Sequence, residues 1–400
     1  FLTYSFKDLL QNGQVVKVPF GKKTAYAIVY KKTKKPDFDT KDILKTYDFL
    51  INEELIKTML IMANYYQAPI NQCVKLVLPK DLDKKRRNTK KENHSLKEKD
   101  IKDLLLSEQQ LEAIDKIKKS QKNTTILHGI TGSGKTNVYI KLISEQLKNN
   151  KSALLIVPEI ALTTQLEDTL KEYFKDQVLT YHSSHTEAMK FKIWEKIVTS
   201  KTPLIILGAR SSLFLPVNNL GIIIIDEFHE PSLKQEANPK YQTQRVAAIL
   251  AKENNILGSA TPSIVDYHLA KTGAGQIIEM TKKASESFKK PSIEVIDMRK
   301  KYNHSQIPYL SPNLLNSIDQ SLKNDEQVLL YLNRKGSATI TLCKNCGWTH
   351  LCSHCHIPTV LYIDKNKLLC NICGRSYKIP TSCPECKSVE IFHRGVGTRM

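Results

Sequence analysis

Short runs of apolar residues recur along the middle of the chain, and helical patterns separate several of them. The runs are TTILH, ALLIVP, LIILG, IIIIDE and NILGSA, all between residues 103 and 285. Strands that are apolar throughout are typical of a parallel sheet covered on both faces by helices. The pattern therefore predicts an α/β lobe over residues 103–285.

A second set of apolar runs follows Pro291, with IEVID and then QVLLYLN. These runs predict the start of another α/β lobe over residues 286–342. A cysteine-rich segment at 343–387 interrupts this lobe, which we expect to continue over 388–400.

The first part of the chain has a different pattern. The stretch QVVKVPFGKKTAYAIVYKK alternates apolar and polar residues, which predicts a small β domain over 1–36. Residues 37–79 have helical periodicity and end in the strand-like CVKLVL, a combination that suits a winged-helix-like domain. Residues 80–102 are almost all charged or polar, which predicts a basic linker, with DNA-backbone contact as the alternative.

The length and the net charge of the chain restrict the number of domains and the class of partner. A chain of 400 residues is too long for one core, so we expect a multidomain α/β protein. The net charge of +20 favours a polyanionic partner, of which nucleic acid is the commonest. We find no membrane-length apolar run and no signal segment, and we expect a cytoplasmic protein whose first residue, Phe1, suggests a trimmed start.

The segment GITGSGKT, at residues 129–136, lies between an apolar strand and a helix. It has the form G-x-x-x-x-G-K-T, in which backbone N–H groups wrap around the phosphates of a nucleotide. We expect the lysine to reach the β- and γ-phosphates and the threonine hydroxyl to ligate Mg²⁺. The predicted ATP-binding residues of this loop are Gly129, Ile130, Thr131, Gly132, Ser133, Gly134, Lys135 and Thr136.

Two acids follow the run of four isoleucines at 222–225. Open α/β sheets bind ligands at the carboxyl ends of their strands, which is where these acids are expected to lie. Asp226 suits the Mg²⁺ site, and Glu227 suits a base that orients the attacking water. The alternative is an ordinary strand that ends in acidic loop residues.

Further segments resemble superfamily 2 helicases. Asp226-Glu227-Phe228-His229 resembles their motif II, and the Ser259-Ala260-Thr261 segment resembles motif III. This resemblance implies that His229 and the Ser-Ala-Thr segment couple the nucleotide state to movement. Gln110 resembles the glutamine that reads adenine in these proteins, since an amide can pair with the adenine edge.

More stretches, in order, are similar to the PriA family of bacterial replication-restart helicases. They are VPFG, ANYYQAPI, HGITGSGKTNVYI, LLIVPEIALTTQL, HSSHTEAMKFKIW, LGARSSLFLPVNNLGIIIIDEFHE, LGSATPS, YLNRKGSA, CKNCGW and GVGT. The resemblance implies an ATP-dependent 3′-5′ DNA helicase that recognises stalled forks and initiates primosome assembly. It also implies DNA contacts by Arg210, Lys234 and Tyr241.

The implied partners are forked DNA, single-strand DNA-binding protein and the proteins that load the replicative helicase, and we expect a monomer. The chain departs from the family at Thr3, Ala209, Leu233, Phe228 and Glu230. It also stops soon after GVGT, before the arginines that a second lobe would supply. We therefore expect the chain as given to bind ATP but to hydrolyse it feebly.

Eight of the nine cysteines form four C-x2-C pairs, separated by 5, 14 and 9 residues. Four pairs can make two tetrahedral Cys₄ sites, which predicts two structural Zn²⁺ ions, with an Fe–S cluster as the chemical alternative. Spacing leaves three pairings open, whereas the family resemblance implies nesting of the outer pairs and of the inner pairs. The predicted ligands are Cys343, Cys346, Cys383 and Cys386 on one ion and Cys352, Cys355, Cys370 and Cys373 on the other.

Two other functions are compatible with parts of this pattern. One is a different superfamily 2 DNA translocase, although such a motor is not expected to carry the cysteine block. The other is a non-enzymatic, fork-binding scaffold that uses ATP as a conformational switch.

Overall fold

The computed structural model describes residues 2–84, 99–158, 164–251, 253–284, 292–297, 310–331, 340–354, 356–371 and 373–394. The chain divides into two compact units, residues 1–289 and 290–400. No helix among the described residues is both long enough and apolar enough to cross a membrane.

The N-terminal part of the first unit is a small sheet with two helices. Its elements are β1 (Tyr4–Ser5), β2 (Gln14–Phe20), β3 (Lys23–Ile28), β4 (Lys41–Asp42), β5 (Lys45–Leu50), α1 (Glu53–Tyr65) and α2 (Ile70–Val77). Strand β2 pairs antiparallel with β3 on one side and β5 on the other. Helix α1 begins where the Asn52 side chain accepts the Leu55 N–H at 2.9 Å, and two glutamates in its first turn favour the helix dipole.

Two expectations for this region need correction. The boundary drawn at residue 36 cuts a single sheet, because β5 lies beyond it and pairs with β2. The strand-like CVKLVL is mostly helix α2. Its buried residues Cys73 and Val77 are four positions apart, which is the spacing of one helical face.

The N-terminal part packs directly against the α/β lobe. The Phe49 and Trp194 rings meet edge to face at 5.0 Å, and the Trp194 Nε1–H donates to the carbonyl of Val77 at 2.8 Å. The Asn52 amide donates to the carbonyl of Val217. One cluster of buried apolar residues spans both parts, so we treat them as one packed body.

A seven-stranded parallel sheet forms the lobe, as the apolar runs predict. The strands are β6 (Thr124–Gly129), β7 (Ser152–Ile156), β8 (Val178–Tyr181), β9 (Ile205–Gly208), β10 (Leu220–Ile225), β11 (Asn255–Ser259) and β12 (Gln276–Met280). Their order across the sheet is β12-β6-β11-β10-β7-β9-β8.

Among the described residues, six α-helices accompany these strands, of which the first precedes β6 and the other five lie between strands. They are α3 (Glu108–Lys119), α4 (Lys135–Lys148), α5 (Thr164–Phe174), α6 (Glu187–Thr199), α7 (Thr243–Leu250) and α8 (Ile264–Leu269). The isoleucine run of β10 shows why its strand is apolar throughout. Ile223 and Ile225 join one buried cluster, while Ile222 and Ile224 join the cluster on the opposite face.

The described residues of the second unit form one α-helix and five short strands. These are α9 (Pro312–Lys323), β13 (Ile340–Cys343), β14 (Val360–Tyr362), β15 (Lys367–Leu369), β16 (Ser376–Tyr377) and β17 (Ile391–Arg394). Strands β13 and β17 pair antiparallel, and β14, β15 and β16 form a second sheet.

The second-lobe strands predicted from IEVID and QVLLYLN do not form where the structure describes them. Residues 292–297 and 326–331 have no strand assignment, and the last two residues of QVLLYLN lie outside the described residues. Ile293 and Leu329 are exposed. A strand of this apolar type requires paired neighbours and covered faces, and the described part of this unit supplies neither for these segments.

Candidate ATP site, coupling residues and metal centre

The loop from Gly129 to Thr136 joins the end of β6 to the start of α4 and has the backbone of a phosphate cradle. Gly132 and Gly134 have φ angles of 80° and 77°, which favour glycine. A Cβ on Gly129 would lie 2.6 Å from the Ser133 hydroxyl, so this close turn also needs a glycine. The loop therefore fits the triphosphate that its sequence predicts.

Polar groups in the loop are available to a ligand. The Lys135 Nζ donates to the carbonyl of Gly129 at 2.9 Å, which holds the ammonium over the loop. The buried Ser133 hydroxyl has no hydrogen-bond partner in the described structure. An unpaired buried hydroxyl costs free energy, and a bound phosphate oxygen would satisfy it.

Asp226 lies directly after β10, next to the phosphate loop. Its carboxylate accepts a hydrogen bond of 2.8 Å from the Tyr139 hydroxyl. Burial raises the pKa of Asp226, whereas the Tyr139 hydrogen bond and the Lys135 charge oppose this rise. A partly buried carboxylate within reach of the Lys135 charge is a suitable donor for Mg²⁺.

Glu227 follows in an unusual backbone conformation, with φ of 45°. For a residue other than glycine this costs roughly 1–2 kcal/mol, a strain of the kind that functional sites store. Burial, and then the charge of Asp226, raise the pKa of Glu227. A partly buried carboxylate with a raised pKa suits a general base.

His229 links this strand end to the next one. Its Nδ1 lies 2.8 Å from the Ser259 hydroxyl, which also accepts the Thr261 N–H at 2.9 Å. A cavity of about 330 Å³ opens here. It is lined by Thr131, Pro158, Glu227, His229, Glu230, Ala260 and Thr261. The structure thus brings together the three predicted segments at one edge of the sheet.

The Gln110 side chain makes its contacts within the protein in this structure. Its side chain is buried, and its carbonyl accepts the Ser107 N–H at 2.9 Å in a capping box. Its amide donates to the carbonyls of Ser133 and Gly134 at 2.9 and 3.4 Å. Because both ends of the amide are engaged, Gln110 holds the phosphate loop against α3 in this structure.

The predicted DNA contacts are placed unevenly. Tyr241 is buried and meets the Phe214 ring edge to face at 5.0 Å, so its side chain offers no surface to DNA. The Arg210 guanidinium donates to the carbonyls of Ser232 and Lys234 at 2.6 and 2.7 Å. In this structure Arg210 therefore stabilises the loop after β10. The Lys234 side chain is exposed.

Phe228 replaces an acid that the family resemblance leads one to expect, and the structure explains how it is accommodated. Its side chain is fully buried in the apolar cluster under the sheet. Its backbone N–H donates to the carbonyl of Gly258 at 3.2 Å. The substitution therefore adds core packing and leaves Glu227 and His229 at the cavity.

Two residues in the site were missed by the sequence interpretation. Tyr139 lies four positions after Lys135 and thus on the same face of α4, but its contact with Asp226 joins segments 87 positions apart. Gly258 precedes the Ser-Ala-Thr segment in β11 and lies against the Tyr139 hydroxyl. Helical spacing could have drawn attention to Tyr139, but its partner depends on the fold.

In the second unit, cysteine thiols gather in two groups. The Sγ atoms of Cys343, Cys346, Cys383 and Cys386 all lie within 4.8 Å of one another, and so do those of Cys352, Cys370 and Cys373. Cys355 lies outside the described residues. The grouping is the nested one that the family resemblance implies, and four thiolates around one point fit a tetrahedral metal ion.

The four C-x2-C segments share one backbone turn. In each, the N–H of the first cysteine donates to the carbonyl five residues later, and the N–H four residues later donates back to the carbonyl of that cysteine. The fourth residue after the first cysteine always has positive φ, at Gly347, His356, Gly374 and Lys387. His356 is therefore the positive-φ residue of its turn. The Nδ1 atom of His350 lies 2.8 Å from the Thr359 hydroxyl.

Comparison with family models gives two matches. The family described as DEAD/DEAH box helicase matches residues 107–268, which span the phosphate loop, Asp226 and the Ser-Ala-Thr segment. The family described as 3′DNA-binding domain (3′BD), a domain of PriA, matches residues 1–79 as one domain.

Curated relatives extend the match over most of the chain. The Replication restart protein PriA of Rickettsia felis is 36% identical over 386 residues, which cover 94% of this chain and 58% of the relative. The protein of the same name in Helicobacter pylori strain 26695 is 31% identical, and the match covers 99% of this chain and 61% of that relative. The Bacillus subtilis protein of that name is 34% identical, and the match covers 74% of this chain and 37% of that relative.

One solved structure, RecG bound to a three-way DNA junction, overlaps 59% of this chain and 30% of that one at 16% identity, with a TM-score of 0.35. That overlap carries no inference about activity. The chain spans at most about three fifths of the length of these curated relatives. With the helicase site, the 3′BD domain and these relatives taken together, the chain belongs to the PriA family of replication restart proteins.

Proposed function

We propose that this chain carries the DNA-binding domain and the nucleotide-binding lobe of an ATP-dependent 3′-5′ DNA helicase. The intact protein recognises stalled or abandoned replication forks and initiates primosome assembly there. The family membership supports the restart role, because the curated relatives bear the name replication restart protein. The partners proposed with it are forked DNA, single-strand DNA-binding protein and the proteins that load the replicative helicase.

One observation carries the proposal: three loops from different strands converge on one cavity. The phosphate loop follows β6, Glu227 and His229 follow β10, and the Ser-Ala-Thr segment follows β11. A nucleotide bound there would touch the loop that holds it and the loops that respond to it. This arrangement supports ATP turnover linked to movement.

Each residue of the proposed ATP site has a separate role in hydrolysis. Lys135 moves from the Gly129 carbonyl to the β- and γ-phosphates, where its charge stabilises the transferred group. Glu227 orients the attacking water. Thr136 and Asp226 hold Mg²⁺, which, when bound, neutralises charge on the phosphates.

The cysteine groups would hold two Zn²⁺ ions as structural centres. Closed sites of four thiolates leave no open position for a substrate. The second site needs Cys355, which lies outside the described residues, to complete its set with the other three. We propose that the two ions order a unit whose described apolar core is small.

DNA binding is supported by charge and by the N-terminal domain. The net charge of +20 should make affinity fall steeply with salt, since bound lysines and arginines displace condensed counterions. Lys234 is exposed on the loop after β10, and we propose that it meets a DNA phosphate. Arg210 would contact DNA only if it released the carbonyls that it now holds.

The test is ATPase turnover of the full-length protein with and without forked DNA. We expect DNA-stimulated hydrolysis, and unwinding of substrates with a 3′ single-stranded tail in preference to a 5′ tail. A purified protein that ignores both ATP and DNA would overturn the proposal, and the opposite tail preference would overturn the stated direction.

A fork-binding scaffold remains the second candidate. It is favoured by the packing of the N-terminal domain into the same apolar cluster as the lobe, which presents a preassembled binding body without hydrolysis. A full-length Lys135→Ala variant distinguishes the two candidates. If it loses unwinding but still supports replication restart, the scaffold role is the essential one.

A further inference from the structure

Tyr139 is a fully buried tyrosine between the phosphate loop and Asp226, the acid that follows β10. It lies on α4, one turn after Lys135, and its side chain is 1% exposed. Its hydroxyl donates to the Oδ1 atom of Asp226 at 2.8 Å.

Gly258, in β11, makes room for this hydroxyl. A Cβ at that position would overlap the Tyr139 oxygen and lie 2.9 Å from the ring carbon that bears it. The same Cβ would lie 3.1 Å from Oδ1 of Asp226. No other amino acid fits beside this hydrogen bond without moving one of its partners.

The backbone around the pair is also fixed. The Asp226 N–H donates to the carbonyl of Ile156, and the carbonyl of Gly258 accepts the N–H of Phe228. The strand end that carries Asp226 is therefore held on both sides. The Tyr139 hydroxyl in turn restrains the rotation of the Asp226 side chain.

We propose that Tyr139 is a positioning residue for the Mg²⁺–nucleotide complex and that Gly258 is its required partner. Tyr139 occupies Oδ1 of Asp226 and thereby leaves Oδ2 for the metal or a water bound to it. This inference rests on the proposed ATP site, and it assigns a role to two residues that do not touch the nucleotide themselves.

The chemistry favours this division of the carboxylate. A neutral hydroxyl supports the charged form without adding a positive charge that would compete with Mg²⁺. It also lets the acid bind without first losing rotational freedom.

The experiment measures binding of a fluorescent ADP to the full-length protein, once in Mg²⁺ and once in EDTA. The wild type should bind more tightly in Mg²⁺. Tyr139→Phe should weaken the Mg²⁺ titration about tenfold, which corresponds to about 1.4 kcal/mol, and leave the EDTA titration unchanged. Tyr173→Phe, a half-buried tyrosine on α5, is the control and should change neither.

Gly258→Ala provides a second route to the same result. Its methyl group should displace the hydroxyl and weaken Mg²⁺-dependent binding, and the loss should be smaller in the Tyr139→Phe background, where that oxygen is absent. Thermal unfolding shows whether each variant is folded.

The outcomes separate the two levels of the proposal. Failure of the wild type to bind the fluorescent ADP in either titration would overturn the ATP site itself, whereas equal wild-type affinity in Mg²⁺ and EDTA would overturn the positioning role. If the wild type responds to Mg²⁺ but Tyr139→Phe matches it, the positioning role alone fails. A folded Tyr139→Phe that loses affinity equally in both titrations would assign Tyr139 to general packing and would also overturn the inference.

Discussion

The Nδ1 atom of His229 lies 2.8 Å from the Ser259 hydroxyl, and this contact joins the loop after β10 to the loop after β11. The same hydroxyl accepts the N–H of Thr261, so the histidine reaches the backbone of the Ser-Ala-Thr segment through one oxygen. The two loops come from neighbouring strands of the sheet. The loop that carries Glu227 and His229 therefore has a direct polar connection to the Ser-Ala-Thr segment, which is proposed to respond to the nucleotide.

We predict that Ser259→Ala or His229→Ala uncouples DNA from hydrolysis. Basal ATPase should stay within about twofold, while stimulation by DNA should fall about tenfold, a coupling of about 1.4 kcal/mol. Steady-state ATPase with increasing forked DNA measures both. The double variant should lose no more than the worse single variant, because both remove the same contact. His268→Ala, an exposed histidine on α8, is the control. Additive losses would contradict a shared contact.

Lys135→Ala should abolish nucleotide binding. The ammonium holds the loop through Gly129 and is the charge nearest to the proposed phosphates. We expect affinity for ATP to fall by more than a hundredfold, which corresponds to about 2.7 kcal/mol or more, as measured by isothermal calorimetry. Lys148→Ala at the other end of α4 should bind normally. Retained ATP affinity in Lys135→Ala would place the nucleotide elsewhere.

Gln110→Ala separates two roles for the buried amide. If Gln110 supports the loop, as its contacts with Ser107, Ser133 and Gly134 indicate, ATP and GTP should weaken together. Loss of the capping box and of these bonds should also destabilise the fold by about 1–3 kcal/mol. Competition binding and thermal unfolding measure the two effects. Selective loss of ATP would restore the adenine-reading role.

Removing cysteines should remove metal one ion at a time. Two Cys₄ sites predict about two zinc ions per chain. Cys383→Ser and Cys370→Ser should each retain about one, because they belong to different thiol groups. Cys73→Ala should retain both, since that buried cysteine lies outside these groups. Metal analysis of purified protein measures the count, and iron with visible absorption would favour the Fe–S alternative.

Trp194→Ala should loosen the N-terminal domain from the lobe. The side chain is buried, packs on Phe49 and donates to the carbonyl of Val77. Truncating a buried aromatic residue costs about 3–5 kcal/mol, so the melting temperature should fall by several degrees. Met189→Ala, at an exposed position of the same helix, should have little effect. Unchanged stability of Trp194→Ala would show that this contact does not hold the two parts together.

Local sequence determined the features that depend on neighbours along the chain. The apolar runs predicted the parallel sheet because a strand buried on both faces, such as Ile222–Ile225, must be apolar throughout. The loop around Lys135 could be predicted because its glycines permit the positive φ angles that a phosphate-binding turn requires. Each C-x2-C turn is likewise a short-range structure, repeated four times.

Tertiary structure decided which polar groups meet. Tyr241 was predicted at a DNA surface, but packing against Phe214 buries it. Gln110 is predicted to read adenine, and the structure adds contacts of its amide with carbonyls of the phosphate loop. CVKLVL was interpreted as a strand although its helix buries Cys73 and Val77 on one face. In each case a short apolar or polar segment is compatible with several environments, and only the surrounding elements select one.

The sequence by itself therefore determined the chemistry: a phosphate cradle, an acidic strand end and paired thiols, all set by short-range spacing. It could not determine that Tyr139 and Gly258 meet at Asp226, or that the N-terminal domain shares a core with the lobe. Those contacts join residues far apart along the chain. The contact at Asp226 exists because the parallel strands carry the carboxyl ends of β6, β10 and β11 to the same edge, and the shared core exists because α6 packs against the N-terminal domain.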